Sequence, residues 1–394
     1  MIILSAIAER LNALLRWDRW RASSALLALS AAAIPALASD IDSQVSPPSH
    51  SQSASIVPYQ ARFGRTRPVI AVVGENAGTE LIDFVIPYGI LSRSETADVL
   101  AVSTHAGLMH MRPALTIQPQ STTHLFDERF PDGADYVIVP AVMTMDSKEP
   151  SILVSWIQEQ ASKGATVVSI CDGALIVAKA GLFKGHRATG HWATRDKRMR
   201  EYPETQWLEN ARYVADGKVI SSAGVTASIP LSLALIEAIA GTQRATQVAS
   251  EIGLNHWSSE HDSGKFHLGM QVYLLAIRNR LAPRHDIGLA LGSDTDEVAL
   301  ALTADAFSRS YRGHAYSVSQ SSEAVRTQHG LTFIPDRILG QNNVPRDLRA
   351  INDLPAAQAL DHALIDLENS YGRSTANFVA LQLEYPRLSY VAHE

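Results

Sequence analysis

A single cysteine stands at a predicted turn from strand to helix. The stretch VVSICDGALIVAKAGLFKG, residues 167–185, contains the only cysteine among 394 residues. Cys171 follows an apolar, β-branched run and precedes small residues with helical spacing. Such a turn presents its side chain as a nucleophile, directs the next amides at a developing oxyanion, and lowers the pKa of a thiol. The pattern predicts attack on an electrophile, with an inert core cysteine as the alternative.

The segments around this turn alternate between strand and helix. PVIAVVG (68–74), DVLAVS (98–103), DYVIVPA (135–141) and TVVSIC (166–171) are apolar runs of strand length. ELIDFVIPYGILSRS and PSILVSWIQEQASKG have helical spacing. Apolar strands separated by helices predict an α/β fold whose parallel sheet is covered on both faces. Ligands bind such sheets beyond the carboxyl ends of the strands, where Cys171 lies.

The segments SICDGALIVAKAGLFKGHRATGHW and VADGKVISSAGVTASIPLSLALIEAIAG resemble the DJ-1/PfpI superfamily, which has the class-I glutamine-amidotransferase-like fold. The resemblance runs from about Arg67 to about Leu254 and is nearest the branch of isocyanide hydratases and amidase-like domains of AraC-type regulators. It implies a flavodoxin-like domain over 67–250. A hydratase, amidase or glyoxalase-like reaction on a small electrophile is the implied activity.

The resemblance also implies the partners of the cysteine. In this family the acid of an acid-x-x-x-Pro pattern on the first helix hydrogen-bonds the elbow cysteine, and Asp83 followed by Pro87 supplies that pattern. Beside a thiolate that carboxyl group should have a raised pKa and serve as general acid or base; a solvated surface aspartate is the alternative, and Glu80 is the expected surface acid. His191 matches a family histidine near the cysteine. Its proton-moving and helix-capping interpretations stay open.

Backbone groups complete the predicted site. The amides near Ala141, Asp172 and Gly173 are expected to hold an oxyanion, and Gly224 is expected to allow a close backbone approach in the substrate pocket. Two family positions differ. Ala141 and Val142 stand where two glycines are usual, and Asp172 stands where a histidine or threonine is common, which argues against peptidase or robust amidase activity.

The first residues differ from the rest in composition. Arginines precede an apolar run of about fifteen residues ending in Ala-Leu-Ala, so 1–38 is predicted to be a signal peptide or membrane anchor. Ser, Gln and Pro dominate the following tract, so 39–66 is predicted to be a disordered linker. We expect an exported protein, periplasmic or tethered to a membrane.

The last third has its own plan. Residues 285–336 repeat the layout of 68–120, with a strand ending in Gly, a helix, a strand ending in Val-Ser, and an xLTxxPx strand. This predicts a degenerate α/β half-repeat over 284–394, ending in two amphipathic helices, with chance similarity as the alternative. Residues 251–283 are predicted to be a helical connector. Its acids and histidines miss the known zinc spacings, so no metal is expected.

Composition narrows the function. The net charge is −6, hydrophobic residues make up 46% and charged residues 19%, which is typical of a soluble globular protein without a basic nucleic-acid surface. Two functions stay open: a cysteine enzyme acting on a small electrophile, and a non-catalytic exported sensor with a redox-sensitive thiol. We expect a small-molecule substrate, no cofactor and no nucleic acid. A homodimer is typical of the family, although the half-repeat could cover that surface.

Overall fold

The computed structural model describes residues 55–143, 151–267, 269–351 and 355–386. The predicted signal peptide or anchor, 1–38, and most of the predicted linker, 39–66, lie outside the described residues. Among the described residues no helix is both long and apolar enough to cross a bilayer.

Eighteen strands lie within these ranges. They are β1 (Val69–Gly74), β2 (Ala77–Glu80), β3 (Asp98–Ser103), β4 (Met109–Arg112), β5 (Thr116–Gln118), β6 (Ser121–Thr122), β7 (Tyr136–Val139), β8 (Thr166–Ser169), β9 (Arg187–Ala188), β10 (Gln206–Trp207), β11 (Tyr213–Asp216), β12 (Val219–Ser222), β13 (Ile287–Ala290), β14 (Ala315–Ser319), β15 (Val325–Arg326), β16 (Thr332–Ile334), β17 (Arg337–Ile338) and β18 (Asp347–Arg349).

Eleven α-helices accompany the strands in the same ranges. They are α1 (Leu81–Arg93), α2 (Thr123–Arg129), α3 (Ile152–Ser162), α4 (Gly173–Lys179), α5 (Arg195–Glu201), α6 (Ser228–Ala240), α7 (Thr242–Glu251), α8 (Met270–Leu281), α9 (Glu297–Arg309), α10 (Ala359–Tyr371) and α11 (Arg373–Gln382). The described residues of the connector, 251–283, contain the last residue of α7, a 3-10 helix (Ser263–Lys265) and α8.

The first unit is built on a seven-stranded sheet in the order β11-β12-β8-β7-β1-β3-β6. All neighbouring pairs are parallel except β11 and β12 at one edge. The strands β1 and β7 are buried along their whole length, because apolar side chains cover both faces. Two separate hydrophobic clusters lie on the two sides of this sheet. The predicted parallel α/β sheet sandwiched by helices is confirmed.

The second, smaller α/β unit has four parallel strands in the order β17-β14-β13-β18. A further five-stranded sheet, β15-β16-β5-β4-β2, joins it to the first unit. There β16 runs antiparallel to β5, and Phe333 pairs with Ile117 at the centre. On either side of this pair, Thr332 pairs with Gln118 and Ile334 pairs with Thr116. The xLTxxPx strands of the two units thus pair with each other around a local two-fold axis.

Helices α1 and α9 pack together with the same symmetry. Each has 13 residues and an acidic N-cap, Glu80 for α1 and Asp296 for α9. Arg309, the last residue of α9, pairs with Glu80, and Arg93, the last residue of α1, pairs with Asp296. An interface in which two equivalent surfaces exchange the same contact is isologous, as in a two-fold dimer. Here both surfaces belong to one chain.

The closing helices follow the same pattern. The pair α10 and α11 is joined through Gly372, as α6 and α7 are joined through Gly241. The amide of Ala357 donates to the carbonyl of Ile252 after α7, and the amide of Thr226 donates to the carbonyl of Leu383 after α11. Because of this reciprocal contact, the end of α11 reaches the sheet edge near Cys171.

Candidate active site

Cys171 occupies a sharp turn between β8 and α4. Its φ of 56° lies in the left-handed region, which is uncommon for a residue with a Cβ and marks a strained position. Gly173 makes the turn sterically possible, since a Cβ there would lie 2.1 Å from the carbonyl oxygen of Val139. The local geometry is the strand-turn-helix elbow expected from the sequence.

The thiol itself is buried, with none of its surface exposed. Burial, followed by the nearby carboxyl groups of Asp83, Asp172 and Glu80, raises the pKa of Cys171 well above its usual value, although a hydrogen bond from the Asp172 amide opposes this. The expectation that a helix N-terminus lowers this pKa is therefore wrong. At the start of the short helix α4, the three nearby carboxyl groups oppose a negative charge on the sulfur and favour the neutral thiol.

Asp83 lies on α1 and is completely buried. Its Oδ2 accepts a hydrogen bond from the Ala141 amide at 3.0 Å, while Oδ1 has no partner among the described residues. Burial raises the pKa of Asp83 to about 7, against the opposing effects of the Ala141 amide and Arg309. Among the described residues no hydrogen bond joins Asp83 to the Cys171 sulfur, so the predicted hydrogen bond is not observed. Asp83 is a buried carboxyl group whose charge acts on the thiol and which can be either protonated or ionised near neutral pH.

Glu80 is not the surface residue expected from the sequence. It is buried, and its Oε2 accepts from the Asp83 amide at 2.6 Å, which caps α1. Its other oxygen pairs with Arg309, which also pairs with Asp305. Burial lowers the pKa of Arg309, but Asp305 and Glu80 outweigh this and raise it overall. The second unit therefore supplies the cation that balances the acids around Cys171.

The backbone amides proposed as an oxyanion site are already engaged. The Ala141 amide donates to Asp83, the Gly173 amide donates to the Ile170 carbonyl, and the Asp172 amide donates to the sulfur. The Asp172 side chain accepts from the Thr194 hydroxyl at 2.5 Å. An oxyanion at this turn would have to take an amide from its present acceptor.

His191 is buried and uses both ring nitrogens. Nδ1 accepts from the Ala193 amide at 3.3 Å and so caps the short 3-10 helix Trp192–Thr194, and Nε2 lies 3.1 Å from the Gln382 carbonyl oxygen. These contacts fit the neutral ring with its proton on Nε2. The capping interpretation thus describes the observed contacts, while a proton-moving role stays a prediction.

One group of metal-ligand type occurs among the described residues. Ligand atoms of Cys171, Asp172 and His191 lie within 4.8 Å of one another. Nδ1 of His191 and one oxygen of Asp172 already accept hydrogen bonds, and the raised pKa of the thiol disfavours the thiolate that a metal needs. The connector residues considered from the sequence do not gather into such a group; His261 instead contacts Glu384.

Gly224 lies at the end of β12, where the sequence predicts close backbone approach. A Cβ there would lie 2.2 Å from the Cβ of Glu384, so the neighbour is the chain's own segment after α11. Arg309, Gln382 and Glu384 were missed by sequence reasoning. One indication of these contacts is present in the sequence, because residues 285–336 repeat the layout of 68–120. A repeated unit can pack against the first unit as a second protomer would, and its residues would then lie at the sheet edge near Cys171.

The comparisons agree with this geometry over the first unit. Residues 69–238, less than half of the chain, match the model of the DJ-1/PfpI family. The HTH-type transcriptional regulator CdhR of Pseudomonas aeruginosa is 37% identical over 110 residues, 28% of this chain and 32% of that protein. Isonitrile hydratase of Pseudomonas putida is 33% identical over 101 residues, 25% of this chain and 42% of that protein.

Among solved structures, Drosophila melanogaster DJ-1beta superposes with a TM-score of 0.44 at 20% identity, covering 48% of this chain and 100% of that chain. The segments that match the two bacterial relatives cover less than half the length of each of those proteins.

Proposed function

We propose that Cys171 is the nucleophile of an enzyme acting on a small electrophile, with Asp83 as its proton acceptor and donor. The observation that carries this proposal is a strained elbow cysteine near a buried carboxyl group, Asp83, whose Oδ1 has no hydrogen-bond partner among the described residues and is free to take a proton. With a pKa of about 7, raised by burial, Asp83 is partly ionised at neutral pH and can accept the thiol proton.

The reaction begins from the neutral thiol. As the sulfur bonds to the carbon of an isocyanide, the thiol proton passes to Asp83 and then to that same carbon, which gives a thioimidate. Water then adds across the carbon–nitrogen double bond, the carbon–sulfur bond breaks, and the hydroxyl proton returns through Asp83 to the sulfur as the formamide leaves. An aldehyde takes the thiol proton on its oxygen and becomes a hemithioacetal; where a second carbonyl group adjoins it, hydrogen transfer to that group gives a thioester, which water hydrolyses to a 2-hydroxy acid and the free thiol. The Asp172 amide, which already donates to the sulfur, is the nearest candidate to stabilise charge on the substrate. The isonitrile hydratase relative supports this class of substrate.

A panel of small aldehydes and isocyanides tests the proposal. Turnover should be lost in Cys171→Ser and reduced about a hundredfold or more in Asp83→Asn, which keeps the shape but cannot accept a proton. Glu159→Gln, an exposed change on α3 beside Lys163, is the matched control and should leave turnover unchanged. Equal turnover in wild type and Asp83→Asn would refute the role of Asp83.

A binding module without turnover is the second candidate, favoured by the closed site. The thiol is buried and all three candidate amides are engaged. The relative named as a transcriptional regulator supports a use of similar sequences outside catalysis. Saturable binding of a panel compound without turnover, unchanged in Asp83→Asn, would identify this function instead. The same raised thiol pKa argues against a redox sensor in this closed state.

We infer further that residues 284–394 are a degenerate copy that takes the place of a partner protomer. The reciprocal pairs Arg309 with Glu80 and Arg93 with Asp296 support this. A homodimer through the α1 face is then blocked, and native mass spectrometry of the intact chain tests this. A dimer that Arg93→Glu dissociates would contradict it.

Export or a membrane tether through 1–38, and the absence of nucleic-acid binding, remain proposals for fractionation and DNA-binding assays.

A further inference from the structure

Glu384 carries a carboxylate deep inside the protein at the end of α11. The residue is 2% exposed and has a φ of 54°, so a glutamate is held in a backbone conformation that favours glycine. Its Oε1 lies 2.7 Å from Nε2 of His261, and its Oε2 accepts from the Trp192 amide at 3.3 Å. At the equivalent place after α7 the chain has Gly253, also with positive φ. The glutamate at this turn is therefore not required by the backbone.

The surroundings of this carboxylate are cationic. Burial lowers the pKa of Arg198, and Asp172, Glu384 and Cys171 act in the opposite direction on it. Burial likewise lowers the pKa of Arg212, opposed by Tyr385 and Glu384. The His261 imidazole and the Trp192 amide contact the Glu384 carboxylate directly. Arg198 and Arg212 act on it through their charge, while their guanidinium groups donate to backbone carbonyls nearby. An imidazole and a backbone amide bind carboxylates with charge-assisted hydrogen bonds, and the two nearby positive charges favour an anion at this place.

The Glu384 site and the Cys171 site share one turn of the chain. His191, whose ring has a ligand atom within 4.8 Å of the sulfur, precedes Trp192, whose amide holds Glu384. The same ring contacts the Gln382 carbonyl, two residues before Glu384. Gly224 leaves the space that the Glu384 side chain fills. The segment 382–384 therefore closes the side of the elbow on which a substrate would lie.

From these contacts we propose that the donors around Glu384 form a carboxylate-binding subsite, that Glu384 is its resident occupant, and that a small electrophile bearing a carboxylate replaces it. The subsite stands independently of turnover, whereas the assignment of a substrate class rests on the proposed function. Exchange of one carboxylate for another keeps the buried charges balanced, because the incoming group meets the same donors. Displacement of Glu384 also moves the segment 382–384 away from Cys171.

Binding is tested first without the reactive thiol. In Cys171→Ser, the added change Glu384→Gly removes the side chain while suiting the positive φ. Acetate should then stabilise the double variant against heat, and acetamide should do so at least about tenfold more weakly. Cys171→Ser alone should need a higher acetate concentration for the same effect, because acetate must first displace Glu384. Adding Arg212→Gln should weaken the acetate effect. Equal stabilisation by acetate and acetamide would overturn the subsite.

Access to Cys171 is tested with two alkylating agents of similar size. Glu384→Gly should speed alkylation by iodoacetate about tenfold more than alkylation by neutral iodoacetamide, relative to wild type. Gly224→Ala, whose Cβ displaces Glu384, should speed both reagents, and Glu159→Gln should change neither. Unchanged alkylation rates in both site variants would overturn closure by this segment. Carboxylate binding without turnover of carboxylate-bearing aldehydes would retain the subsite and reject the enzymatic proposal.

Discussion

Arg309 of the second unit pairs with Glu80 of the first unit and with Asp305 on its own helix, α9. All three side chains are at most 4% exposed, so Arg309→Met leaves two buried carboxyl groups without their cation. Removing one partner of a buried ion pair costs about 3–5 kcal/mol of the free energy of unfolding. The symmetry-related change Arg93→Met is the control. Its pair with Asp296 is 12% and 15% exposed and so is partly solvated, and losing it should cost less, about 1–2 kcal/mol.

The loss of stability in Arg309→Met should depend on pH and should be larger at higher pH. Burial, then Asp83 and Asp305, raises the pKa of Glu80 even with Arg309 present. An acid whose pKa is raised by folding binds its proton more tightly in the folded state, so its contribution to stability falls as the pH rises from the unfolded toward the folded pKa. Without Arg309 this pKa rises further. Arg309→Met should therefore lose more stability at about pH 8 than at about pH 5.

Urea unfolding followed by tryptophan fluorescence and circular dichroism measures these differences. The proteins are wild type, Arg309→Met, Arg93→Met and the triple change Arg309→Met with Glu80→Gln and Asp305→Asn, which removes the unpaired charges and should recover part of the loss. A shift in midpoint at constant slope reports stability alone. Equal losses in the two arginine variants, or a loss in Arg309→Met that is the same at both pH values, would refute the reasoning.

Three further predictions concern the elbow. Iodoacetamide should label Cys171 in the native protein only slowly near neutral pH, because burial and nearby acids raise the pKa of the thiol, and mass spectrometry across a pH series measures this. Asp83, with a pKa raised by burial to about 7, should make wild-type stability fall as the pH rises from about 4 to 7. Asp83→Asn should flatten that part of the urea-unfolding profile, and an unchanged slope would contradict the assignment. Gly173→Ala should destabilise the fold by ~3 kcal/mol or more, because its Cβ would lie 2.1 Å from the Val139 carbonyl oxygen; a urea midpoint equal to that of wild type would show that the turn can shift.

Much of the first unit could be predicted from local patterns. Apolar runs of strand length alternate with helical spacing, and the described strands β1, β3 and β8 lie within the runs that the sequence singled out. The elbow at Cys171 was also predictable, because a strand, one tight turn and a small-residue helix start leave few backbone alternatives. These features depend on residues near one another in the chain.

The state of the site was decided by residues far apart in sequence. Arg309 and Glu384 lie more than a hundred residues after Cys171, yet they neutralise the acids and fill the space beside it. Glu80 looked like a surface residue because its helix position gave no sign that α9 would cover it. A thiol's pKa is set by the sum of burial and all nearby charges, so the helix start alone gave the wrong direction.

The amino-acid sequence by itself determined which residue types meet at the turn and that a parallel sheet presents them, since hydrophobic periodicity and turn chemistry are local properties. Only the tertiary structure decided that the chain covers its own elbow with a second unit and buries the sulfur. Burial and long-range ion pairs arise from the packing of distant segments, and no window of sequence contains both sides of such a contact.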